Sequence, residues 1–64
     1  MTIKLDSIEN LRSAVGMFYT DSYGIEKQIL RVQENKGVWI MEEGKEKLVF
    51  GLTLIKRGYS AYSK

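Results

Sequence analysis

A chain of 64 residues with net charge +2 has room for one domain and one core, and a domain this small buries only about 60% of the surface its unfolded form exposes. With no cysteine and no histidine, it has neither a disulfide framework nor a thiolate or imidazole metal site, and its scattered carboxylates form no calcium loop. No charged n-region leads into an apolar h-region, and no stretch approaches the roughly 18 apolar residues of a membrane span. The expectation is a cytoplasmic protein without metal, cofactor, membrane or small-molecule substrate.

The first predicted element is a short extended stretch, Thr2 to Leu5. Asp6 followed three residues later by Glu9 reads as a capping box. Ile8, Leu11, Val15 and Phe18 then recur at helical spacing with Ala14 and Tyr19 beside them, which predicts an amphipathic helix to about Tyr19. Gly16 within it costs roughly 1 kcal/mol relative to alanine, so the helix is weak or closely packed there. Thr20 to Gly24 reads as a turn.

From Ile25 the pattern predicts three strands, Ile25 to Gln33, Val38 to Glu42 and Lys47 to Ile55, joined at Asn35-Lys36-Gly37 and Glu43-Gly44-Lys45. Ile25, Ile29 and Val32 also fit a second helix capped by Ser22, so 25–33 is open between strand and helix. The fold class expected is α+β: one amphipathic N-terminal helix on a three- or four-stranded antiparallel meander, order (β)αβββ, within a single domain 1–64. Residues 56–64 form a loose basic tail.

Register follows from the turns. A turn at Gly44-Lys45 pairs Met41 with Leu48 and Trp39 with Phe50, and one face then collects Leu30, Val32, Trp39, Met41, Leu48, Phe50, Leu52 and Leu54 as the core beneath the helix. The opposite face carries Ile29, Arg31, Val38, Ile40, Val49 and Ile55, too apolar for a solvated sheet face. The uncharged run Leu48 to Ile55, as an outer strand, is an aggregation hazard unless something covers it. Either Thr2 to Leu5 and the two C-terminal tyrosines cover this surface, or a second copy or another protein does.

Ile29, Arg31, Val38, Ile40, Val49 and Ile55 are therefore the candidate partner-binding residues of a small non-enzymatic protein that binds another protein and self-associates through its sheet. Small standalone chains of this kind are common among phage and mobile-element accessory proteins that inhibit host proteins. The alternative is a nucleic-acid-binding protein using Lys56, Arg57, Tyr59, Tyr62 and Lys64, since cations interleaved with aromatics grip phosphates and stack on bases. Its counter-reading is a frayed, solubilising end. Without histidine or cysteine no nucleophile and base stand out by spacing, and the glycines show no phosphate-loop pattern.

Overall fold

The computed structural model describes residues 1–33 and 35–64. Six strands form one antiparallel sheet: β1 (Thr2–Lys4), β2 (Phe18–Thr20), β3 (Glu26–Gln33), β4 (Gly37–Glu42), β5 (Lys45–Val49) and β6 (Ser60–Tyr62). Their spatial order is β1-β6-β2-β3-β4-β5. Two short helices, α1 (Ile8–Ser13) and α2 (Gly51–Arg57), lie on one face. The expected architecture, one long helix on a three- or four-stranded meander, is overturned by this six-stranded sheet and its second helix.

Local chemistry accounts for each departure. α1 begins one residue later than the Asp6 cap implies, because Ser7 is the N-cap and its Oγ accepts the Asn10 amide at 3.2 Å. Asp6 instead accepts the Asn10 side-chain amide at 2.9 Å. The helix ends by Ala14, and Gly16 at φ +91 turns the chain into β2, a conformation in which glycine pays no Cβ penalty. Gly16 N–H donates to Ile29 O at 2.7 Å, and Ile29 N–H donates to Met17 O at 2.9 Å. Phe18 and Tyr19, placed on the helix by their spacing, are strand residues.

Residues 26–33 are strand. The β4–β5 turn is Glu43-Gly44, both at positive φ, as a two-residue hairpin of this twist requires. It sits one residue earlier than the Gly44-Lys45 turn, so Met41 faces Glu46 and Trp39 faces Leu48. Pairing of β3 with β4 shifts between Ile29 and Arg31, leaving Leu30 as the extra residue of a bulge.

The predicted third strand is split. After Val49 the chain enters α2, which stops at Gly58 in the left-handed region (φ 64), whose amide donates to Leu54 O at 3.0 Å. Basic Lys56 and Arg57 in its last turn suit the helix dipole. The supposed loose tail is then an interior strand: β6 lies between β1 and β2, with Ile3 opposite Ala61 and Phe18 opposite Tyr62.

Paired residues share a face, which identifies the packed side of the sheet. Tyr19, Ile29, Val38, Ile40 and Ala61 are buried there with Leu5, Leu11, Ala14 and Leu54. The face assignment made from register is thus reversed: Leu30, Trp39, Met41 and Leu48, expected in the core, lie on the side without helices.

Candidate docking groove

α1 and α2 are too short to roof the whole sheet, and the gap between them and the β3–β4 turn is an open groove of about 650 Å3. Its apolar walls are Ile8 of α1, Val32 and Val38 of the sheet, and Phe50, Gly51 and Leu52 at the start of α2. Arg12 and Lys36 stand on its rim. Phe50 is 76% exposed, Leu52 70% and Ile8 43%, so the largest side chains around the groove project into solvent. Gly51 sets the floor, where an added Cβ would sit in ordinary contact with Leu11, Ile8 and Val38 at 3.7–3.8 Å.

Why Phe50 and Leu52 face outward follows from the change of element. In a strand, Leu48, Phe50, Leu52 and Leu54 would share one face. Once a helix starts at Gly51, Leu54 turns into the core and Ile55 packs against it, while Leu52 and Thr53 rotate out.

The open face of the sheet is also rich in large side chains, yet it satisfies itself. Arg31 lies over the Trp39 ring at 4.9 Å and is paired with Glu46 at 3.1 Å; Trp39 Nε1–H donates to Gln33 at 2.8 Å. Lys64 lies over Phe18 at 4.7 Å and is paired with Glu26. Tyr62 stacks beside Phe18 and donates its hydroxyl proton to Glu26 at 2.6 Å. Trp39 and Phe18 are each capped by a cation, and each of these cations is paired with a carboxylate, so both rings are partly covered on this face.

A smaller cleft of about 210 Å3 lies between α2 and the β2–β3 turn, lined by Tyr19, Asp21, Lys27, Arg57 and Tyr59 among others. Lys27 there lies 2.9 Å from both Asp21 and Glu42, and Glu42 also pairs with Lys47. Burial alone would pull the Lys27 ammonium down, but these carboxylates hold it charged and move it above its ordinary value. A lysine so held cannot serve as a base near neutral pH. Glu42 is lowered by Lys27 and Lys47, and Asp21 by the Ile25 amide and Lys27. Burial pushes Tyr19 up to about 12. These are the signatures of an ion-pair network that closes one end of the core.

The residues predicted to bind a partner fall elsewhere than expected. Ile29, Val38 and Ile40 are buried beneath the helices, and Val49 and Ile55 pack against that core. Of the six, Arg31 alone is exposed, and it lies on the opposite face, over Trp39 and paired with Glu46. The nucleic-acid candidates are likewise dispersed. Lys56 and Arg57 end α2, Tyr59 stacks on Tyr19 at 5.2 Å, and Tyr62 and Lys64 sit on the open face. Ile8, Val32, Lys36, Phe50 and Leu52 were not singled out as site residues. The usable signal was Lys56-Arg57-Gly58, a helix stop that converts the preceding run from strand to helix.

Among the described residues no cluster of three or more His, Cys, Asp or Glu side chains is placed to hold a metal ion, and no helix is long and apolar enough to cross a membrane. Comparison with known protein families, curated proteins and solved structures finds no match.

Proposed function

We propose that this chain is a small, non-enzymatic, cytoplasmic protein that acts by binding another protein through the groove between α1, α2 and the β3–β4 turn. The observation carrying this reading is the placement of Phe50 and Leu52, the most exposed large hydrophobic side chains after Tyr23 and the terminal Met1, on the wall of the apolar groove. Exposed apolar groups gathered round a concavity, in a chain with little core to spare, are the usual mark of a contact surface.

Two features favour the groove over the sheet. On the open face Trp39 and Phe18 are capped by Arg31 and Lys64, which are themselves paired with Glu46 and Glu26. Edge strand β5 carries Lys45, Glu46 and Lys47 on its exposed rim, charges that discourage strand addition. An antiparallel pairing of two β5 edges that preserved the faces and centred on Lys47 or Glu46 would place like charges opposite one another.

The test is affinity capture from an extract of the cells that make the protein, using wild type and a Phe50→Asp, Leu52→Ser double variant of unchanged circular dichroism. A protein retained by wild type and released by the variant is the expected result. Identical retention by both would remove the groove from consideration.

A further inference from the structure

The smaller cleft, between α2 and the β2–β3 turn, brings together hydrogen-bond donors that the neighbouring ion-pair network does not use. Arg57 is the last residue of α2, Tyr59 follows the Gly58 stop, and Ser22 lies in the turn. The Arg57 guanidinium donates to Ser22 Oγ at 3.4 Å, and the Tyr59 hydroxyl lies 3.3 Å from the same oxygen, both long for such bonds. Each group is held from its own side. Tyr59 stacks on buried Tyr19 at 5.2 Å and its carbonyl accepts the Leu5 amide at 2.7 Å, while Asp21 Oδ1 fixes the turn by accepting the Tyr23 and Ile25 amides. Charge is unbalanced here. Asp21 and Glu42 offset Lys27 and Lys47, but among the described residues the partner of Arg57 is a neutral hydroxyl, where Lys27, Arg31, Lys47 and Lys64 each have a carboxylate. The Tyr59 phenol is lowered from its ordinary value by the Ser22 hydroxyl and, after it, by Arg57, so the cleft mouth favours negative charge on oxygen.

We infer that this cleft binds the phosphate group of a phosphate monoester, its oxygens accepting from the Arg57 guanidinium and from the Ser22 and Tyr59 hydroxyls. A guanidinium presents its N–H donors as a fork that matches phosphate. Hydroxyls arriving from two other segments suit a tetrahedral anion better than a planar carboxylate. Asp21, the carboxylate in the lining, is already occupied, with Oδ1 on two amides and Oδ2 on Lys27. The volume of about 210 Å3 lies below the roughly 300–1,000 Å3 that encloses a whole drug-sized ligand, so the phosphate enters and the body of the molecule stays outside, beside Tyr23, which is 88% exposed. The same chemistry is carried by a small phosphorylated molecule and by a phosphorylated side chain of another protein. This site is separate from the groove, and neither reading depends on the other.

The experiment is a 1H–15N NMR titration of the full chain with phenyl phosphate, inorganic phosphate and a short phosphotyrosine peptide, against acetate at matched ionic strength. The expected result is saturable shifts of the Ser22 and Tyr23 amides and of Arg57 Nε–H with phenyl phosphate, and binding of acetate at least about tenfold weaker. Arg57 and Ser22 are exposed, so Arg57→Gln keeps the fold and its dispersed spectrum while losing saturable binding. Arg57→Lys, which keeps the charge without the fork, and Tyr59→Phe, which keeps the ring on Tyr19, each weaken binding about two- to tenfold. A phosphotyrosine peptide bound at least about tenfold tighter than phenyl phosphate identifies a phosphorylated protein as the source; equal affinity identifies a small phosphorylated molecule. Shifts that follow ionic strength alike for acetate and phosphate, or saturable binding that survives Arg57→Gln, would overturn the site.

Discussion

Ile40 and Leu48 lie on opposite faces of the sheet, and truncating each to alanine measures which face is packed. Ile40 is 1% exposed, between Ile29 and the helices, whereas Leu48 is 43% exposed beside Trp39. Each substitution removes three carbons, worth about 0.8 kcal/mol apiece when fully buried. At Ile40 the surrounding core cannot collapse fully, so the cavity adds to this and Ile40→Ala is expected to cost about 3–4 kcal/mol. At Leu48 roughly half the transfer energy is at stake and no closed cavity forms, giving about 1 kcal/mol. A single core of this size supplies about 3–5 kcal/mol, so Ile40→Ala stands at the edge of unfolding in water. Urea titration followed by the fluorescence of Trp39, the sole tryptophan, reads both. Leu48→Ala should lower the midpoint by about 1 M or less, for a slope of at least about 1 kcal/mol/M, and Ile40→Ala should leave little or no folded baseline. A larger loss from Leu48→Ala than from Ile40→Ala would show that the packed face has been assigned the wrong way round.

Stability should fall on both sides of neutrality. Asp21, Glu26 and Glu42 titrate below their ordinary values through their amide and lysine partners, so the unfolded chain binds protons first and stability is lost as pH drops through and below the carboxylate range. Tyr19 is raised from 10.0 to about 12 by burial, so its contribution is complete below pH 10 and disappears as pH climbs toward 12; Tyr19→Phe should flatten part of that alkaline loss in urea midpoints. Gly37 has φ +139, and an added Cβ would press into Val49 O with the Val49 carbonyl carbon only 3.1 Å away, so Gly37→Ala should cost about 2 kcal/mol or more. Gly51→Ala, in ordinary contact at helical backbone, should be neutral or stabilise by up to about 1 kcal/mol by thermal melts. Deleting Ser60 to Lys64 removes the strand between β1 and β2 and should abolish cooperative unfolding, whereas a dispensable tail would leave the melt intact.

Local pattern carried part of this structure. The alternation along 38–42 and the Asn35-Lys36-Gly37 and Glu43-Gly44 turn signals place β4 and its neighbours, and Trp39 and Leu48 share a face at either turn position, because moving the turn by one residue shifts the pairing by two. Which face is covered could not be read the same way. Ile29, Val38, Ile40 and Val49 on one side and Leu30, Trp39, Met41 and Leu48 on the other are equally apolar, and the choice is made by where the helices land. That depends on Gly16 stopping α1 early and on α2 returning over Val38. Placement of β6 was still less accessible, since Ile3 meets Ala61 across nearly the whole chain and nothing near either residue encodes the pairing. The groove escaped for a related reason. Phe50 and Leu52 alternate as core residues of a strand, and only the helix beginning at Gly51 exposes them.

Phe50 also occupies a position that the fold would fill differently. It is the N-cap of α2, in extended backbone at φ −71 and ψ 128, and makes no side-chain capping bond. Ser, Asp or Asn there would accept an amide of the first turn and is worth about 1 kcal/mol, and a carboxylate also suits the helix dipole, since the first turn of α2 contains no acid. The chain thus places an exposed phenylalanine where a small polar residue would both stabilise and solubilise it. Such local conflicts between sequence and fold gather at functional sites. Phe50→Asp is accordingly expected to raise stability by about 0.5–1 kcal/mol in urea titration while weakening capture of a protein partner by the groove, since it removes an apolar anchor and places a charge on an apolar wall. A drop in stability of 1 kcal/mol or more would mean that the ring is held by the core despite its 76% exposure, and Phe50 would then belong to the fold rather than to a binding surface.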